Sequence, residues 1–274
     1  MAVETTSGRG TGVFSQGRAR IARRTLRTDD WRLQPRVLAV ILIFFVLYST
    51  VRIFMNQWYY APAENYLTPV YSPCISASCP EGAADFGHWL PAFPAAVPLS
   101  ILIFPILAGF RVTCYYYRKA GYRSLWLSPQ ACAVVEPHRR YTGETRFPLV
   151  VMNYHRYFFA LASILLLVNL YDAIKAFFPA SGGFGFGLGT LIMVVNVVML
   201  GLYSLSCHAC RHLVGGRLRH FARHPVRYRM WTFVSRINPR HGTFAMISLF
   251  TVIFTDFYIM AVSAGWISDL RFIN

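Results

Sequence analysis

The chain has 274 residues, 55% of them hydrophobic, and still carries a formal charge of +16. Only 14% of its residues are charged, against about 25% in soluble domains, a combination that argues against a soluble globular enzyme, a disordered basic tail and a small disulfide scaffold. Apolar blocks that cross a bilayer, separated by arginine-rich segments, reconcile the two facts. Arginine supplies 25 of the 27 positive residues, which favours firm contacts with carboxylates and phosphates. Anionic lipid or an acidic partner accounts for that charge without a nucleic acid.

Residues 1–34, rich in Gly, Thr, Ser and Arg, read as a flexible basic N-terminus, and residues 35–274 as an all-α domain of five transmembrane helices. A span needs roughly 20 mostly apolar residues. The first runs over about 37–54 and is interrupted only by Arg52, which can snorkel. About 36 residues precede it and no small-residue cleavage pattern follows, so it reads as a retained helix rather than a signal peptide. The second span, about 92–114, contains Pro94, Pro98 and Pro105, tolerated where neighbouring helices satisfy the freed carbonyls. The remaining spans cover about 149–178, 184–212 and 243–267.

Charge alternates along the connections. Residues 1–36 hold eight arginines and three acids, 55–95 hold three acids and no base, and 209–241 hold eight arginines and no acid. Positive segments stay inside, which gives an N-inside, C-outside multi-pass protein of the plasma membrane. On the cytoplasmic side, residues 115–126 interleave Tyr115, Tyr116, Tyr117, Tyr122 and Trp126 with basic residues, a pattern that suits either an interfacial aromatic belt or a docking platform. Cys74 and Cys79 fall in the acidic outer loop, where a disulfide is expected to contribute about 2 kcal/mol.

The other cysteines, Cys114, Cys132, Cys207 and Cys210, belong to the cytoplasmic half, as do all histidines except His88. The densest group is Cys207-His208-Ala209-Cys210-Arg211-His212. On one continuous helix Cys207 and Cys210 are one turn apart. Paired thiolates suit iron or zinc, and imidazoles suit haem iron, zinc or a Rieske-type iron. His155 and His241, at the cytoplasmic starts of the third and fifth spans, share that depth. Further from the cytoplasm, Asp256 lies fifteen residues beyond His241, about 22 Å along a helix. An intramembrane carboxylate is a candidate for a proton route or a quinone contact, or a bundle-stabilising partner of Asn196 or a tyrosine. With it, Tyr258, His88 and Trp89 are the quinone-site candidates. The run Ser181-Gly182-Gly183-Phe184-Gly185-Phe186-Gly187 lacks a preceding strand and reads as close helix packing rather than a phosphate loop.

Four motifs together resemble one family. They are Phe110-Arg111-Val112-Thr113-Cys114-Tyr115-Tyr116-Tyr117-Arg118-Lys119-Ala120, Tyr141-Thr142-Gly143-Glu144-Thr145-Arg146-Phe147-Pro148, Asn153-Tyr154-His155-Arg156-Tyr157-Phe158 and Ser206-Cys207-His208-Ala209-Cys210-Arg211-His212. The chain is similar, over roughly 35–274, to the cytochrome-b-like membrane anchor of an actinobacterial succinate dehydrogenase (respiratory complex II). The resemblance implies a subunit that is not an enzyme alone, bound to a flavoprotein and an iron–sulfur subunit on the cytoplasmic side and passing electrons from succinate to menaquinone. It also implies a Rieske-type 2Fe–2S cluster in the membrane. Four ligands are expected from Cys207, Cys210, His155, His241 and His208, the first four being favoured, with Cys114 in reserve. A b-type cytochrome with haem between two of His155, His208, His212 and His241 is the alternative, and a cofactor-free anchor is the third reading. The first span carries no histidine, which departs from two-haem anchors.

Overall fold

The computed structural model describes residues 29–94, 96–126, 145–147 and 149–273. The N-terminal residues 1–28, Cys132, the motif residues Tyr141–Glu144 and Pro148, and the side chain of Trp126 lie outside the described residues. Two compact units divide the chain: residues 1–44 with 113–153, and residues 45–112 with 154–274.

Helix α1 (Leu33–Met55) opens where the Asp30 carboxylate accepts the Arg32 amide. Pro35 sits in the first turn, where its missing N–H breaks no helical bond. Its exposed stripe, Val40, Phe44, Leu47, Val51 and Phe54, is wholly apolar, whereas Ser49 and Arg52 are buried. Apolar side chains outward and polar ones inward is the pattern of a helix solvated by acyl chains. Among the described residues, four helical stretches are long and apolar enough to cross a membrane: Leu33–Met55, Val150–Lys175, Leu188–Leu205 and Pro225–Ser263.

The first unit contributes α3 (Tyr115–Ala120), followed by one π turn over Gly121–Trp126. Tyr117 and Tyr122 are buried there, while exposed Tyr115 carries Arg118 at 4.8 Å and Lys119 at 5.0 Å over its ring.

In the second unit the stretch expected as the second span is not one helix. Residues 96–103 turn repeatedly, with Val97 bonded to Pro94 and Ile101 to Pro98, before α2 (Phe104–Val112) begins. Each proline removes a donor and pushes the residue before it out of helical conformation. A 3₁₀ turn over Leu149–Tyr154 leads into α4 (His155–Lys175), which packs on α2 and on α5 (Leu188–Leu205). Then come α6 (His208–Gly215), α7 (Pro225–Ile237) and α8 (His241–Ser263), the last packed along α5. The span expected over 184–212 therefore ends at Leu205, and Cys207 caps a new helix.

Short strands tie the ends opposite to His155 and His241. Strands β1 (Tyr60–Ala61) and β2 (Tyr66–Leu67) pair antiparallel, as do β3 (Phe186–Gly187) and β4 (Arg271–Ile273). Cys74 and Cys79 form a disulfide with their Cα atoms 5.9 Å apart. Nearby, the Ser72 hydroxyl donates to Asp172, and Lys175 pairs with Asp85 at 2.9 Å.

A carboxylate from the tail organises this end. Asp269 accepts from Tyr66 (2.8 Å), Tyr258 (2.8 Å) and the Gly189 amide (2.9 Å) at the start of α5. Burial pushes the Tyr66 phenol up to about 12, so it remains a donor. The glycine-rich approach to α5 has a steric reason as well. A Cβ on Gly187 would run into Asp269, and one on Gly189 would enter the Tyr66 ring.

Candidate metal centre

The break between α5 and α6 places the cysteine–histidine group. Cys207 has an extended backbone (φ −66°, ψ 144°) and caps α6, its sulfur accepting from the Ala209 amide at 3.4 Å. Cys207 and Cys210 are both buried and outside any disulfide. His155 Nε2, from the first residue of α4, lies 3.2 Å from Cys207 Sγ. His241, the first residue of α8, meets the Ser206 hydroxyl through Nδ1 at 2.9 Å. His155 and His208 are both close enough to His241 to interact with it electrostatically. Three chain segments distant in sequence thus bring His155, Cys207 and His241 into one neighbourhood.

Aromatic rings fix the two imidazoles. Phe110 of α2 stacks on His155 at 5.1 Å and 9° between planes, and Tyr203 of α5 stacks on His241 at 5.1 Å and 15°. Phe110 and Tyr203 touch each other at 5.0 Å, closing a ladder His155–Phe110–Tyr203–His241. Below it, buried Arg111 places its guanidinium 4.9 Å from the Tyr203 ring and donates to Ala245 O and Ser248 Oγ, both at 3.2 Å. Asn238 Nδ2 ties the start of the α8 segment to Ser206 O at 2.7 Å. Among the described residues, no three His, Cys, Asp or Glu side chains are already drawn together as a metal cage. Cys207 and His155 are in direct contact.

Of the expected ligands, Cys207, His155 and His241 are therefore brought to one locality, with exposed His208 beside them and Cys210 buried within the same α6 helix. Cys114 is buried at the start of α3, in the other compact unit. The quinone candidates are more dispersed. Asp256 is fully buried and accepts from Arg52 Nε and Tyr48 OH, both at 2.7 Å. Arg52, 2% exposed, does not snorkel; its guanidinium turns inward to the carboxylate and to the Gln57 carbonyl. Tyr258 donates to Asp269, His88 Nδ1 lies 2.8 Å from Ser76 O, and Trp89 is 78% exposed.

The tyrosine expected beside Asp256 is Tyr48; the residues missed in the sequence are Ser206, Phe110, Tyr203 and Arg52 as the second partner of Asp256. One signal was available for the last. Arg52 is the single base of its span and Asp256 the single acid of its own, and buried opposite charges in a bilayer seek each other.

Over residues 33–265 the chain matches a family model described as actinobacterial succinate dehydrogenase subunit SdhC. No curated protein matches it. Among solved structures it is similar to a chain of the Mycobacterium smegmatis Sdh1 complex in the apo form, at 56% identity and a TM-score of 0.87, covering 97% of this chain and 100% of that one.

Proposed function

Because this chain belongs to the actinobacterial succinate dehydrogenase subunit SdhC family, we propose that it carries electrons from that enzyme's iron–sulfur subunit to menaquinone through a Rieske-type 2Fe–2S centre. Its role as a membrane subunit of the complex follows from membership; the electron path is our reading. The contact between Cys207 Sγ and His155 Nε2, with His241 held on neighbouring Ser206, carries it. The donor chemistry fits: two buried thiols and two imidazoles, one face of each imidazole covered by an aromatic ring. Cys207, Cys210, His155 and His241 are the proposed ligands, with His208 in reserve.

A cluster bound there supplies one-electron transfer, and imidazole ligation raises its potential above that of an all-thiolate cluster. The chain's own contribution is orientation and exclusion of water. Ser206 fixes the His241 ring through Nδ1, and Phe110 and Tyr203 hold the two ring planes. Partners that set an imidazole's tilt and tautomer tune a metal site from outside its ligand set.

In this reading the arginine-rich segments face the cytoplasm, where the flavoprotein and iron–sulfur subunits bind, and the Cys74–Cys79 loop faces outward. Five crossings result if the broken stretch ending in α2 counts as one. For the quinone we propose the end of α8 remote from His241. There Asp256 and Tyr258 are closed by their own hydrogen bonds and position the pocket, while His88 and Trp89 are its open members. Low-temperature paramagnetic resonance of the reduced complex tests the centre. We expect a low-g Rieske signal that disappears when His155 and His241 are changed to alanine. An unchanged signal refutes the ligand assignment, and a sharp reduced alpha band in its place identifies a haem instead.

A further inference from the structure

The segment between α5 and α8 is more than a connection. Helix α6 is about 12 Å long and α7 about 20 Å, and they are pinned to each other. Arg227 donates through Nε to Val214 O (3.0 Å) and through Nη2 to Gly216 O (2.8 Å), and Arg211 Nε donates to Ser235 Oγ at 3.1 Å. Gly215 allows the Trp231 ring to lie directly on α6, since a Cβ there would collide with the indole. The Arg211 guanidinium covers that indole at 5.3 Å. Between the helices opens a cavity of about 270 Å³ lined by His208, Arg211, His212 and Trp231.

Two further features converge on this hairpin. Val226, Met230 and Phe233, one apolar row along α7, are 68%, 52% and 52% exposed. Residues 209–241 contain eight arginines and no acid, so their charge is not neutralised within the segment. We propose that the α6–α7 hairpin is an anionic-phospholipid site, its cavity taking the phosphodiester and its apolar row resting on the acyl boundary. Guanidinium groups bind phosphate in paired hydrogen bonds. An indole at headgroup depth and an apolar helix row beside arginines characterise an element lying in the membrane interface. Topology favours lipid over a soluble protein as the occupant, because both ends of the hairpin run directly into membrane-crossing helices at one bilayer face. Basic pockets at helix ends on the cytoplasmic side suit such headgroups. The inference does not depend on Cys207, Cys210, His155 or His241 holding a metal; His208, the reserve ligand, lines the cavity.

Native mass spectrometry of the whole complex, purified in mild detergent, tests the site with phosphatidylglycerol, phosphatidylcholine and inorganic phosphate as probes. Retention of phosphatidylglycerol over phosphatidylcholine is expected, and Arg211→Gln combined with Trp231→Leu should weaken it about tenfold. Because Arg211 adjoins Cys210, a second variant pairs Met230→Gln with Phe233→Gln, and it too should lose the lipid. Equal retention of both lipids, unchanged retention in both variants, or full displacement by phosphate alone overturns the proposal. A photo-crosslinking residue in place of Met230 should capture lipid in the assembled complex. Capture of a soluble subunit at that position overturns it as well.

Discussion

The ion pair between Arg52 and Asp256 offers the most direct test of how this bundle is held together. Both side chains are essentially inaccessible, at 2% and 0%, with Nε and Oδ2 2.7 Å apart and Nη2 and Oδ1 at 3.4 Å. At an effective dielectric of about 20, attraction at that separation is about 6 kcal/mol. Removing two charges from water offsets most of it, so the pair is near neutral against an apolar pair of equal volume. Removing one partner is a different matter, because it strands the other charge at a cost of about 3–5 kcal/mol. We therefore expect Arg52→Met and Asp256→Asn each to lower the thermal stability of the assembled complex strongly. Arg52→Met combined with Asp256→Leu should recover most of the loss. Thermal unfolding of the detergent-solubilised complex, followed by retention of the anchor, measures all three. A double variant as unstable as the sum of the singles refutes the reasoning, and so does a harmless single variant.

Three further outcomes follow from the same end of the bundle. Gly189→Ala forces a methyl into the Tyr66 ring and should cost about 1–3 kcal/mol in the same assay. Reducing the Cys74–Cys79 disulfide, or replacing both cysteines by serine, should cost about 2 kcal/mol, since the bridge closes a loop of only five residues' separation; no loss at all would mean the bridge constrains nothing. Tyr66→Phe should weaken the complex by about 1 kcal/mol through the lost bond to Asp269. The sign with pH is fixed: the phenol's ordinary value of 10.0 is raised to about 12 in the fold, so its contribution is complete below pH 10 and lost as pH rises through about 12. Fluorescence-monitored unfolding at pH 7 and pH 11 separates the variant from the parent.

Hydropathy made the membrane class legible, and the helix starts at His155 and His241 fall where the charge pattern turns apolar. What it missed is continuity. The stretch before α2 is as apolar as a span, but apolarity reports preference for lipid, whereas Pro98 and Pro105 decide whether the backbone can stay helical. The same distinction explains Cys207 and Cys210, which suit one helix by spacing yet straddle the cap of a new one. Arg52 shows a third limit: a base near a helix end can reach out or turn in, and the choice rests on a carboxylate 204 residues away. The aromatic ladder left no trace in spacing, because Phe110 and Tyr203 meet only after α2, α4 and α5 have packed.

Asp269 also bears on the order in which the chain is made. The amide at the start of α5 and the hydroxyl of Tyr66 emerge from the ribosome long before the carboxylate that engages both. Until residue 269 has been synthesised, the mouth of α5 and the β1–β2 hairpin lack their shared acceptor. Insertion of the earlier helices into the bilayer must therefore precede the final locking of their ends remote from His155 and His241, and a nascent chain stalled after α8 would present them unlatched to membrane quality control.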